Sequence, residues 1–278
     1  MALFLTDLDG TLLDNYGRLS ESSRNRLGLL LNKGLPFSFA TARGWPGSRR
    51  VLGGLPLKLP VIVRNGAYVV DYQSGEILNG NLIDPALSKS IVAFLKERDC
   101  SPAIAAFVDG NEYMYGEPPR NTCMEAYATM RRQHGSPKWE EIAALEDLLH
   151  HPIAQFNIID EGDKVFELKD DLLQAFPGLI QIHTYENAVR TGWRMLSLLD
   201  ASATKGNAAQ WLLDQLQIPI HLLTAFGDNH NDIPMLEVAG TAIAVGRAQP
   251  EVIQLAHKVL PYGSPDEVVN YIEENWGG

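Results

Sequence analysis

The chain has 278 residues, 45% of them hydrophobic, with 34 acidic against 23 basic side chains for a formal net charge of -11. That length supports a sizeable core in one large or two modest domains, and the negative charge disfavours nucleic acid or an anionic membrane as partner. A small molecule is the expected partner. The start lacks a basic n-region and its apolar run is broken by Asp7, while no apolar stretch is long enough to span a bilayer; a cytoplasmic protein is expected. Cys100 and Cys123 lack metal-ligand spacing and are expected as reduced thiols.

In chain order, the apolar run Ala2-Leu3-Phe4-Leu5 leads directly into Asp7-Leu8-Asp9-Gly10-Thr11. Carboxylates two residues apart at a strand's end can share a metal ion and a phosphate; an acidic turn closed by Gly10 is the plainer reading of the same string. From Ser20 to Lys33, Leu27, Leu30 and Leu31 fall at helical spacing between a capping Ser20 and Gly34. Pro36 to Ala40 and Pro60 to Arg64 read as strands, and residues 68–71 with 76–78 as a hairpin around Gln73-Ser74-Gly75. Such alternation predicts a parallel sheet covered by helices.

From residue 82 to about 190 the grammar changes. Strand patterns at Ala103 to Val108, Ile153 to Ile159 and Leu179 to His183 mix with helical ones at Pro85 to Arg98, Asn121 to Gln133 and Lys164 to Phe176. An inserted α+β domain is expected here. The first grammar then returns, with a helix from Thr204 to Gln217, a strand from His221 to Phe226, a helix from Asn231 to Val238, a strand from Thr241 to Val245 and a helix from Asp266 to Asn275. The expected division is 1–81 and 191–278 for the α/β core and 82–190 for the insertion.

In an open parallel sheet, groups at the carboxyl ends of strands converge on one crevice. This chain places Thr41-Ala42-Arg43, Thr204-Lys205-Gly206 and Gly227-Asp228-Asn229-His230-Asn231-Asp232 at or near such ends. Alone, the last string reads as a loop with helix-capping residues. His150, His151 and His230 have no zinc spacing, and Arg131-Arg132 suits a helix C-terminus without any ligand. Asp14 reads as a turn residue.

Taken together, Asp7-x-Asp9-Gly10-Thr11, Thr41, Lys205-Gly206 and Gly227-Asp228-x-x-Asn231-Asp232 resemble the four motifs of the haloacid dehalogenase (HAD) superfamily of aspartyl-phosphate phosphohydrolases. Ala-Thr-x-Arg, Asn65-Gly66-Ala67 and the insertion after the second motif are similar to the Cof-type branch. The resemblance implies a Rossmann-like core with a C2B-type α+β cap. The branch commonly has Thr-Gly-Arg where this chain has Thr41-Ala42-Arg43, which keeps the hydroxyl and guanidinium and bears on loop geometry.

The resemblance further implies a Mg2+-dependent phosphatase. One oxygen of Asp7, the main-chain carbonyl of Asp9 and the Asp228 carboxylate would hold the ion. Asp7 would attack phosphorus, and Asp9 would serve as general acid and then base, with a raised pKa. Thr41 would hydrogen-bond the phosphoryl group and Lys205 would compensate charge. Gly10 and Thr11 complete the first motif's turn, and Asp232 would support Lys205 or metal-bound water. Arg43, Asn65 and Asn231 are candidate phosphate or substrate contacts, against a surface ion pair for Arg43 and a turn cap for Asn65. The expected substrate is a small phosphorylated metabolite, a sugar phosphate or similar monoester. A phosphomutase or phosphotransferase of the same chemistry and a non-catalytic phosphometabolite-binding protein are the alternatives. Tyr113, Tyr115 and Arg120 are candidate cap lining residues, and oligomeric state is not legible.

Overall fold

A computed structural model describes residues 2–108, 111–134, 138–186, 191–261 and 266–277. The chain divides into two compact units, one of residues 1–80 with 204–278 and the other of residues 81–203.

The first part of the first unit runs β1 (Leu3–Thr6), α1 (Glu21–Asn32), β2 (Phe37–Phe39), α2 (Trp45–Leu52), β3 (Val61–Val63), β4 (Tyr68–Val70) and β5 (Ile77–Gly80). All four residues of β1 are buried, as expected where a parallel sheet is covered on both faces. Helix α1 forms where its pattern predicts: the Ser20 side chain accepts from the Ser23 amide at 2.9 Å, and Leu27, Leu30 and Leu31 make its buried face. Ser20 and Ser23 both donate to the Asp266 carboxylate, Ser23 at 2.6 Å, which ties this helix to the C-terminal segment. Helix α2 is absent from the sequence reading because its segment, Trp45-Pro-Gly-Ser-Arg-Arg-Val-Leu52, is short and carries Pro46 and Gly47 in its first turn, which read as a turn.

The second unit contains α3 (Pro85–Lys96), β6 (Ala103–Val108), β7 (Asn111–Gly116), α4 (Thr122–His134), β8 (Trp139–Glu141), β9 (Ile153–Glu161), α5 (Gly162–Ala175), β10 (Ile180–Glu186) and β11 (Trp193–Asp200). Its sheet order is β10-β11-β9-β6-β7-β8, antiparallel except for the β7–β8 pair. Ile91 and Leu95 of α3, Leu172 of α5 and Ile104, Phe156 and Leu198 of the sheet share its apolar core. The insertion is thus α+β. Residues 193–200, expected in the returning core, instead form β11 between β9 and β10, because both of its edges are hydrogen-bonded within this sheet. Tyr113 and Tyr115 lie on β7, and Arg120 is held by Asp99 and Glu117.

The chain then returns as α6 (Lys205–Leu216), β12 (Leu223–Gly227), α7 (Ile233–Val238), β13 (Thr241–Ala244), α8 (Pro250–Leu255), β14 (Lys258–Val259) and α9 (Glu267–Asn275). The main sheet is wholly parallel in the order β14-β13-β12-β1-β2, and β3, β4 and β5 make a separate antiparallel sheet. From β1 the chain moves to β2 on one side and returns to β12 on the other. The order therefore reverses between β1 and β12, the point at which such sheets open a crevice at their carboxyl ends. Asp7 follows β1, and Asp228 follows β12.

Removing the Ser20 hydroxyl deletes a helix cap and one donor to Asp266. Ser20→Ala is expected to lower stability by about 1 kcal/mol, seen as a lower urea midpoint at unchanged slope.

Candidate active site

Lys205 opens α6 and is fully buried, although a cation at a helix N-terminus opposes the helix dipole. Two carboxylates offset that cost: Nζ donates to Asp7 Oδ1 and to Asp232 Oδ1, each at 2.6 Å. Asp7 and Asp232 are themselves buried. The other oxygen of Asp232 accepts from the amides of Asp228 (2.9 Å) and Asn229 (3.0 Å), so both its oxygens are engaged. That cap also explains why the expected Asn231 to Val238 helix opens as a 3-10 turn at residues 230–232 before α7.

Asp7 gives one oxygen to Lys205, and nothing among the described residues donates to the other. Asp228 Oδ1 accepts from Thr11 Oγ1 at 3.0 Å. Carboxylate oxygens of Asp7, Asp228 and Asp232 lie within 4.8 Å of one another, and three acidic groups face one ammonium. Burial pushes the Asp7 carboxyl well above its usual range, with Lys205 opposing and the neighbouring acids adding to the rise. Burial, then Asp232, raises Asp228 from 3.8 to about 6. Burial disfavours the charge on Lys205, yet Asp232 and Asp7 outweigh it and raise its pKa. An excess of buried negative charge built from hard oxygen donors suits a divalent cation.

Thr41 is fully buried, and its hydroxyl oxygen accepts from the Arg43 amide at 3.1 Å, which leaves the O–H to donate. Ala42 takes no positive φ, so the alanine enters this turn without strain. Arg43 Nε and Nη2 donate to the two oxygens of Asp9 at 2.6 and 2.5 Å. The Asp9 carboxylate, expected beside the other acids, is instead a half-exposed partner of this guanidinium.

After β3, Arg64, Asn65 and Gly66 take φ of 51°, 55° and 94° in succession. The turn is held by Arg64 N to Arg43 O and Asn65 N to Thr41 O, both 2.9 Å, and Asn65 Oδ1 accepts from Asn231 Nδ2 at 2.9 Å. A Cβ on Gly66 would collide with the Thr204 carbonyl, and one on Gly10 with the Asp228 carboxylate. Only glycine allows these approaches. The unforeseen member of the site is Arg247, which donates to the carbonyls of Gly10 and Leu13, both at 2.9 Å, and to Asn15. It follows β13, and strand-end position was its only sequence signal. Asp14 accepts from the amides of Tyr16 and Arg18, as a turn residue does.

A family model described as haloacid dehalogenase-like hydrolase matches residues 4–272. The chain belongs to that family. It is 27% identical over 268 residues to an HMP-PP phosphatase of Cronobacter sakazakii, covering 96% of this chain and 92% of the relative. It is 25% identical over 272 residues to the pyridoxal phosphate phosphatase YbhA of Escherichia coli, covering 96% and 95%. A solved haloacid dehalogenase-like hydrolase of Bacteroides thetaiotaomicron shares the fold with a TM-score of 0.81 at 20% identity, covering 99% of both chains. The enzyme class is accordingly phosphoric monoester hydrolase. Among the described residues, no helix is long and apolar enough to cross a membrane.

Because the folded-state pKa of Asp228 lies above its ordinary value, the stability tied to its proton is complete below about 3.8 and lost as pH rises through about 6; Asp7 shifts in the same direction. In EDTA, Asp228→Asn is expected to flatten the fall in melting temperature across that window. It is also expected to abolish most of the rise in melting temperature that Mg2+ is expected to give the wild type. Thermal melts across pH with and without the metal check both.

Proposed function

We propose that this enzyme is a Mg2+-dependent phosphatase that hydrolyses a small phosphorylated metabolite through an aspartyl phosphate on Asp7. The observation that carries the reading is Asp7 itself: it directly follows β1, one oxygen is gripped by buried Lys205, and the other takes no hydrogen bond from the described residues.

A phosphate monoester dianion repels an approaching carboxylate, so charge must be neutralised before attack. Asp7, the main-chain carbonyl of Asp9 and Asp228 would hold Mg2+, which when bound supplies that neutralisation and polarises the phosphoryl group. Asp232, with both oxygens occupied, fixes Lys205 in this scheme. Lys205 holds Asp7 in place and keeps a positive charge beside the phosphoryl group. The unfastened oxygen of Asp7 attacks phosphorus, and the Thr41 hydroxyl donates to a phosphoryl oxygen. Asp9 gives its proton to the departing alkoxide and later takes one from the water that cleaves the acyl phosphate. Positioning and electrostatics carry most of the acceleration. Asn65 and Asn231, bonded to each other, supply a polar amide pair for the substrate.

A sugar phosphate or similar polar monoester is the proposed substrate class, in the cytoplasm. The name of the Escherichia coli relative adds pyridoxal phosphate to the compounds worth trying.

Phosphate release from a panel of phosphorylated metabolites, with Mg2+ or EDTA, tests the reading. Turnover is expected only with the metal, and Asp7→Asn is expected to lower it by at least about 10³-fold. Transfer of the phosphoryl group to a second sugar instead of water would make it a mutase.

A further inference from the structure

We propose that Arg43 is the positioning residue of the acid–base group Asp9 and makes no contact with the transferred phosphoryl group. The inference rests on the phosphatase reading above.

One edge of the guanidinium is committed. Nε and Nη2, the two donors of its fork, each meet a different oxygen of Asp9, at 2.6 and 2.5 Å. A phosphate that took the same fork would have to displace Asp9. The base of Arg43 is fixed as well, its amide on Thr41 Oγ1 at 3.1 Å and its carbonyl accepting from Arg64 N at 2.9 Å. Gly17, with φ of +69°, closes over the pair: a Cβ there would lie 2.7 Å from Arg43 Nη2 and 3.6 Å from Asp9 Oδ1. Gly17, whose positive φ favours glycine, thus lets the segment after β1 approach this ion pair closely.

Solvent exposure says what the pair does. The Asp9 side chain is 48% exposed and that of Arg43 29%, against 6% for Asp7 and 0% for Lys205. Exposed ion pairs contribute little to stability, so the effect expected of this one is orientational. Unpaired, a carboxylate half in water would sample several rotamers; a rigid two-point fork selects one. Lysine would keep the charge and lose the fork.

The chemistry makes the assignment measurable. In the first step the Asp7 O–P bond forms while the ester P–O bond breaks, and Asp9, entering in its acid form with one oxygen still on Arg43 and the other carrying the proton, gives that proton to the alkoxide to make the alcohol. In the second, water attacks phosphorus and yields its proton to Asp9, the Asp7 O–P bond breaks, and orthophosphate leaves. An alkyl leaving group needs the proton, whereas p-nitrophenolate leaves without it. The second step is common to all esters. Loss of Asp9 positioning therefore lowers kcat/KM selectively for alkyl esters, while kcat falls for every ester.

The experiment compares wild type, Arg43→Ala, Arg43→Lys and Asp7→Asn on glycerol phosphate and p-nitrophenyl phosphate with Mg2+, with orthophosphate inhibition and melting temperature alongside. For both Arg43 variants, kcat/KM is expected to fall roughly 10²-fold for the alkyl ester and less than about 5-fold for the nitrophenyl ester. A burst of nitrophenolate should precede slow turnover, with orthophosphate inhibition and melting temperature nearly unchanged. Equal losses of kcat/KM on both esters with weakened orthophosphate inhibition would make Arg43 a phosphate ligand and overturn the proposal, as would a loss that tracks a fall in melting temperature. If the wild type showed no turnover that depends on Asp7, the phosphatase reading would fall first and this assignment with it. Asp7-dependent turnover with unaltered Arg43 kinetics would sink this assignment alone.

Discussion

The site is organised around one buried cation. Lys205 lies in the interior at a helix N-terminus, where desolvation and the helix dipole both oppose its charge, and it is held there by Asp7 on one side and Asp232 on the other. A charge so placed depends on both partners. Asp232 is fixed by two backbone amides that satisfy its second oxygen. Asp7 keeps an oxygen that no described residue donates to, which suits a nucleophile.

The backbone around this clamp leaves little room for variation. Gly66 lies against the Thr204 carbonyl just before Lys205, and three successive left-handed residues turn the chain there. Backbone strain of this kind persists only where the surroundings fix it, and the amides of residues 64 and 65, bonded to the carbonyls of Arg43 and Thr41, do so. The loop after β2 and the loop after β3 are thereby one structure. Arg247 does the same for the loop after β1, binding two of its carbonyls from the loop after β13.

Two charged groupings with different physics meet around this site. The Lys205 cluster is buried, so its charges act strongly on one another. The Arg43–Asp9 pair is half in water, where Coulomb attraction is screened and geometry matters more than energy. A nucleophile benefits from the first setting. A group that must give and accept protons at the solvent boundary suits the second.

The alternation of strands and helices was legible in the sequence because it depends on local spacing: a continuous apolar run before Asp7, period 3.6 in α1, turn residues after β12. The four motifs and their order were legible through their resemblance to the haloacid dehalogenase family. Helix α2 was illegible because its eight residues open on Pro46 and Gly47, which locally signal a turn. Strand β11 was placed in the wrong unit for a different reason: pairing to β9 and β10 is a long-range choice that residues 193–200 do not encode locally. The sequence also determined that Lys205, Asp232 and Arg43 carry charge near strand or helix ends. Only the tertiary structure decided their partners, because the sheet reversal between β1 and β12 brings positions 7, 205 and 232 together, and the turn at residues 41–43 sets Arg43 on Asp9.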